Sequence, residues 1–239
     1  MARRKLDLAD TIRGALANPE AARLAAALEP WDDKELTLAD AEGLVAVLAE
    51  ITDVEPLVAD HDGENFLDHL ARLFQSDAAD AATLALRDRG LPQLARLFDA
   101  AMAVPDCPAA PLLTVCTAFA LYSYRPGVGR VAAAVRRFPD EDMWEVVFGL
   151  YAEENHPHGP ELATRLRDPL PDDFAAVALL DLSNALARQG RLTAHPFDTP
   201  AGRERLGAWL AEPDAAPFGC APAAAEALTF IDPPTEEPR

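Results

Sequence analysis

The stretch "EENHPHGPE" sets Glu153, Glu154, His156 and His158 close together in the chain. Carboxylates and imidazoles ligate metals and pass protons, so their spacing decides whether they can converge on one ion. Glu153 and His156 stand at i, i+3, the interval at which one turn of helix in a carboxylate metal bundle presents both ligands to the interior. Such a centre needs a second matching pair, yet the residues three before the other histidines are Val58, Phe66, Asn155 and Leu192. Pro157 also ends the helix directly after His156, which leaves the pair at a helix terminus. The expected structure is an inter-helix turn through Gly159, with both glutamates and both histidines facing solvent, and not a catalytic metal site.

Other candidate chemistries are weaker. "VADHDGENFLDHL" contains His61–Asp62, a dipeptide that resembles the core signature of HD-type phosphohydrolases, but that family carries another histidine upstream and none precedes His61 here. Read as a calcium loop with Gly63 at its sixth position, the first ligand would be Val58 and the twelfth His69, and both are wrong for calcium. Acidic residues and glycine suit a helix start instead. "YSYRPGVGRVAAAVRRF" gathers Arg125, Arg130, Arg136 and Arg137 around a Gly-Val-Gly turn that leads into a helix. With no preceding strand and no Gly-Lys-Ser/Thr, neither a Rossmann nor a P-loop site follows. The patch reads as a solvated or salt-bridged helix face, the functional alternative being docking of an anion or an acidic peptide through Arg125, Arg130 and Arg137. Ser76, Ser123 and Ser183 are the only serines, none in a nucleophile elbow, and no cysteine has a histidine nearby in the chain.

One more pattern is polar where its surroundings are not. In "LLDLSNALARQ", Asp181, Asn184 and Arg188 fall at i, i+3, i+7 and therefore share one helix face beside the apolar face of Leu182 and Leu186. Asp, Ser and Asn in mid-helix cost helix propensity, so their presence asks for a reason. The plain reading is an exposed face with an Asn184–Arg188 contact along the helix.

These residues must be held by something, and composition bounds what. The chain has 239 residues, half of them apolar, enough for a sizeable core. Asp and Glu number 40 against 21 Lys and Arg, a net charge of −19, which disfavours nucleic acid and anionic membrane surfaces and leaves a protein as the expected partner. Cys107, Cys116 and Cys220 are odd in number with no C-x-x-C spacing, so they read as reduced core residues. Neither a secretory leader nor a membrane span is legible, which makes cytoplasmic the expected location.

Along most of the chain apolar residues recur at i, i+3, i+4 and i+7, the period of an α-helix, and nowhere is there a sustained alternation of two. The reading is all-α: helices near 5–17, 19–29, 38–51, 64–75, 78–88, 91–103, 109–123, 128–138, 160–167, 200–211 and 220–229. To these are added a helix capped by Asp140 and one opened by Pro171 and closed by Gly190. In the Asp140 helix Met143, Val146, Val147, Leu150 and Tyr151 are the expected buried stripe, widened by Trp144. "RQGRLTAHPFDTPAG" reads as a surface connection, residues 1–231 as one helical domain, and 232–239, proline-rich and charged, as a disordered tail.

Short helices joined by short loops suit stacked antiparallel pairs, an α-solenoid. "RGLPQLARLF" with "PLLTVCTAFALYSY" resembles the paired helices of an armadillo repeat, and "DPLPDDFAAVALLDLSNALARQG" with "APAAAEALTFI" resembles HEAT repeats. The resemblance implies a right-handed superhelix whose inner face binds a partner, and it brings no catalytic residue or cofactor. In armadillo repeats an asparagine near the end of the inner helix hydrogen-bonds a bound peptide; the resemblance would give Asn184 that part, with Arg188 meeting an acidic group. The expected function is thus a non-catalytic scaffold or regulatory subunit. The alternative is a small all-α metal-dependent enzyme drawing on His61, His69, His156, His158 and nearby carboxylates.

Overall fold

The computed structural model describes residues 7–17, 21–31, 35–60, 65–75 and 80–233, and every regular element among them is helical, as expected. The helices gather into two compact units, Met1–Gly127 and Val128–Arg239. His61–Asp62 and residues 234–239 of the expected tail lie outside the described residues. No described helix is long and apolar enough to cross a membrane.

In the first unit, helices begin where short oxygen side chains can hold the orphan amides of a first turn. Asp7 caps α1 (Leu8–Leu16), accepting from the Asp10 N–H at 3.0 Å. After α2 (Ala21–Leu28), a reciprocal Thr37–Asp40 box opens α3 (Leu38–Glu50). A short α4 (Glu55–Val58) leads to α5 (Phe66–Arg72), capped by Asn65. The two helices expected on either side of "RGLPQL" form one run: α6 (Ala81–Ala85), a π-helical turn over Leu86–Gly90, then α7 (Leu91–Met102). The reason lies in Pro92, which has no N–H and whose ring would strike a carbonyl four residues back. A π-turn reaches one residue further, Leu91 N–H to Leu86 O, and makes room for it. Then comes α8 (Ala109–Leu121), with residues 111–120 all buried, as a helix apolar on every side must be. It packs against α5 and α7.

The second unit holds α9 (Val128–Arg137), α10 (Trp144–Ala152), α11 (Gly159–Arg165), α12 (Asp173–Arg188), α13 (Pro200–Ala211) and α14 (Ala221–Ile231). Its hub is α12, which packs on α10, α11 and α14. Gly190 follows with φ +66°, the left-handed residue that ends a helix at low cost.

Two expectations are corrected in this unit. Asp140 does not cap α10: the residues after it first close i, i+3 turns, Trp144 N–H to Glu141 O at 3.3 Å and Glu145 N–H to Asp142 O at 3.1 Å, so the helix starts at Trp144, while the Pro139 carbonyl accepts from the Ala175 N–H at 2.9 Å in the first turn of α12. Its buried stripe is also rotated: Trp144, Val147, Phe148 and Tyr151 are inside, while Met143 and Val146 are 36% and 51% exposed and Leu150 is half-buried. Both sides of this helix are apolar, so periodicity cannot choose between them. Packing chooses the side carrying Trp144 and Phe148, because aromatic rings remove the most apolar area from water.

Candidate functional site

Two polar residues of α12, Asn184 and Arg188, meet neighbours from elsewhere in the same chain. Asn184 is 1% exposed. Its amide Nδ2 donates to the Ala223 carbonyl on α14 at 2.9 Å, and its Oδ1 lies 3.2 Å from His195 Nε2. His195 Nδ1 accepts from the Phe197 N–H at 3.3 Å, which assigns the ring proton to Nε2 and makes Asn184 Oδ1 the acceptor. Burial pushes the His195 pKa down to about 4, so the ring is neutral at pH 7. Both ring nitrogens are engaged, leaving neither a lone pair for a metal nor a base for catalysis. Leaving any of these buried groups unpaired costs about 1–3 kcal/mol. They pin α12, α14 and the 190–199 connection together.

This corrects three expectations. The peptide-facing part that the armadillo resemblance gives to Asn184 fails, because its amide is inside the unit and committed. The contact of Asn184 with Arg188 along the helix is replaced by contacts across to α14: Arg188 Nη1 sits 2.8 and 3.0 Å from the two Glu226 oxygens. The 190–199 connection is a surface loop only in part: Thr193 and Ala194 are exposed, while His195, Pro196 and Phe197 are buried. Gly202, in the first turn of α13, closes against it: a Cβ there would overlap the Phe197 backbone. Asp181 and Arg188 remain at the surface, and only Asn184 of the three is buried. The Asp181 carboxyl is pushed up by partial desolvation, then by the negative charges of Glu145 and Glu226, with Arg188 opposing.

A second His-Pro turn, "HPHG", repeats the geometry of "HPFD". His156 Nδ1 accepts from the His158 N–H at 3.3 Å, two residues on, as His195 does from Phe197. The expectation that His156 is solvent-exposed is overturned: it is 6% exposed, its ring set edge-on against Tyr151 with centroids 4.4 Å apart. Glu153 and Glu154 are exposed, as expected, and Glu153 ends α10 in an extended conformation, so Glu153 and His156 do not face one ion. Gly159 is required here, because a Cβ would overlap the Tyr151 carbonyl. The last carbonyls of α10 are satisfied from beyond α12: Gln189 Nε2 donates to Ala152 O at 2.9 Å, Arg191 Nη1 to Glu153 O at 2.8 Å, and Arg191 Nη2 to His156 O.

Each arginine of the patch has its own setting. Arg125 lies exposed in a 3-10 turn, Arg125–Gly127, of the first unit, and Arg130 is half-buried on α9. Arg136 Nη2 donates to the Arg165 carbonyl at 2.6 Å, and the Arg137 guanidinium lies 5.0 Å from the Phe138 ring centre. His69, an alternative ligand, is buried in the first unit beside Asp68, which accepts from Thr114 Oγ1 and pairs with Arg72 at 2.6 Å. Among the described residues no three His, Cys, Asp or Glu side chains gather as a metal ion requires. An open groove of about 450 Å³ runs between Arg167, Asp168, Thr199 and Arg205. Its arginines hold the chain's own groups: Arg167 the Asp198 carbonyl at 2.9 Å, Arg205 the Pro171 carbonyl and, at 2.7 Å, Asp172.

Among the exposed apolar side chains of the described residues, Met143 and Val146 share the outer side of α10 with half-buried Leu150, the three following one another at i, i+3, i+7. Among known proteins, no family model, no curated protein and no solved structure matches the chain.

Proposed function

We propose that this chain works by binding another protein through its helical surface, as a scaffold or regulatory subunit without chemistry of its own. The carrying observation is α10, a helix apolar on both sides with one side left in water, Val146 51% and Met143 36% exposed. Contiguous apolar surface of this kind marks an interaction site in a folded protein. The fates of Asn184, His195, His156, Arg188 and Arg136 support the same reading, since each directs polar atoms to groups of its own chain, the first three from buried positions and the two arginines from the surface. A layout of stacked helix pairs, as in HEAT and armadillo proteins, belongs to this proposal. Its support is the packing of next-but-one helices, α10 on α12 and α12 on α14.

The test is affinity capture from the native cell extract with the wild-type chain and with Val146→Asp in parallel. Val146 is half in water, so this substitution changes stability by only about 0.5 kcal/mol. A partner retained by the wild type and lost from the variant is the expected outcome. Equal capture by both would remove α10 as the binding side, and stoichiometric iron, manganese or zinc in the purified protein would turn the reading toward the metalloenzyme.

A further inference from the structure

We propose that the outer side of α10 is the docking site for a basic amphipathic helix of a partner protein. This rests on the protein-binding reading above and adds the chemistry of the partner. The apolar stripe supplies one half of the argument. Met143, Val146 and Leu150 form a ridge along the outer side, and Gly149, beside Val146, carries no side chain and has open space where a Cβ would stand. Another helix can approach closely there, laying i, i+3, i+4 and i+7 anchors across the ridge.

Charge supplies the other half and selects the occupant. Between Arg137 and His156 the chain has six acids, Asp140, Glu141, Asp142, Glu145, Glu153 and Glu154, and no lysine or arginine. Asp140, Asp142, Glu145, Glu153 and Glu154 are exposed, and among the described residues none of the six takes part in an ion pair. They lie before, beside and after the ridge, and Asp181 of α12 adds its charge next to Glu145. The nearby cations are directed elsewhere, Arg188 to Glu226 and Arg191 to the carbonyls of Glu153 and His156. An apolar ridge framed by uncompensated carboxylates complements a helix whose apolar side is flanked by lysine or arginine. A second copy of this chain would bring the same carboxylates against themselves in a two-fold interface. Nucleic acid and anionic lipid are repelled outright.

The probe is a labelled leucine–lysine peptide of about five helical turns, patterned to be amphipathic and titrated against the full chain by fluorescence anisotropy at two salt concentrations. A peptide of the same composition with scrambled order is the control. Saturable binding that weakens with salt and exceeds that of the scrambled peptide is expected. Val146→Asp should weaken it by about tenfold or more, and Asp142→Lys with Glu145→Lys by a similar factor while flattening the salt dependence. Circular dichroism melts identify any variant that fails to fold, and Val146→Gln then replaces Val146→Asp. The proposal is overturned by absence of binding, by equal binding of the scrambled peptide, by indifference to both sets of substitutions, or by self-association that Val146→Asp abolishes. If extract capture depends on Val146 while the peptide does not bind, the protein-binding reading stands and the basic helix falls; if neither depends on Val146, both fall.

Discussion

At the scale of single residues, the informative side chains are polar ones placed inside. Asn184 and His195 come from segments eleven residues apart, and each gives the other its partner. Since burial holds the His195 pKa near 4 against an ordinary 6.5, unfolding releases a ring that binds protons more readily than the folded one. Its contribution is therefore fully present above pH 6.5 and is lost as the pH falls from there toward 4, a change on the order of 3 kcal/mol. Asp181 acts in the opposite sense, its raised carboxyl costing stability as the pH climbs out of the ordinary aspartate range. Denaturant melts from pH 7.5 down to 4.5 should show the decline, and His195→Gln should flatten it even though its own baseline stability is lower. An unchanged slope in that variant would place the ring in water. The i, i+3, i+7 stripe was legible in the sequence, but whether it faces solvent or α14 was not. Spacing along one helix says nothing about what another helix lays over it. The missed partner had left a trace: "HPHG" and "HPFD" are the same turn written twice.

At the scale of elements, helix starts follow capping chemistry. Asp7, Thr37 with Asp40, and Thr199 each stand where their oxygen can meet an amide two or three residues on, and each does so. Asp140 has the same local credentials and fails, because the residues after it close i, i+3 turns, Trp144 on Glu141 and Glu145 on Asp142, before the helix begins. The same limit applies to α10 itself, apolar all round, where only packing shows which side is core. Trp144 lies on the core side, fully buried, with its Nε1 donating to the Phe138 carbonyl at 2.6 Å. Trp144→Ala removes the ring and orphans that carbonyl, so a loss of about 3–5 kcal/mol is expected in urea melts. A loss below about 1 kcal/mol would place the core of this helix on its other side.

At the scale of the whole molecule, helical class followed from periodicity alone, because a 3.6-residue repeat of apolar side chains has one regular solution. The division into two compact units did not, since a boundary at Gly127–Val128 falls inside "RPGVGR", a short turn like many others in the chain. That division makes the buried cysteines informative. Cys107 and Cys116 are buried in the first unit and Cys220 in the second, none of them in a disulfide. Burial raises the pKa of Cys116 and Cys220, so both are protonated and shielded in the folded chain. An alkylating reagent can modify them only when the surrounding helices open, and its rate then reports the opening free energy of the unit that holds each thiol. Pulsed alkylation read by peptide mass spectrometry should therefore label Cys116 far more slowly than an exposed model thiol and assign a separate opening rate to Cys220. A common rate for the two, tracking the global melt under every condition, would show that the units open together, making the thiols a clock for one cooperative event instead of two.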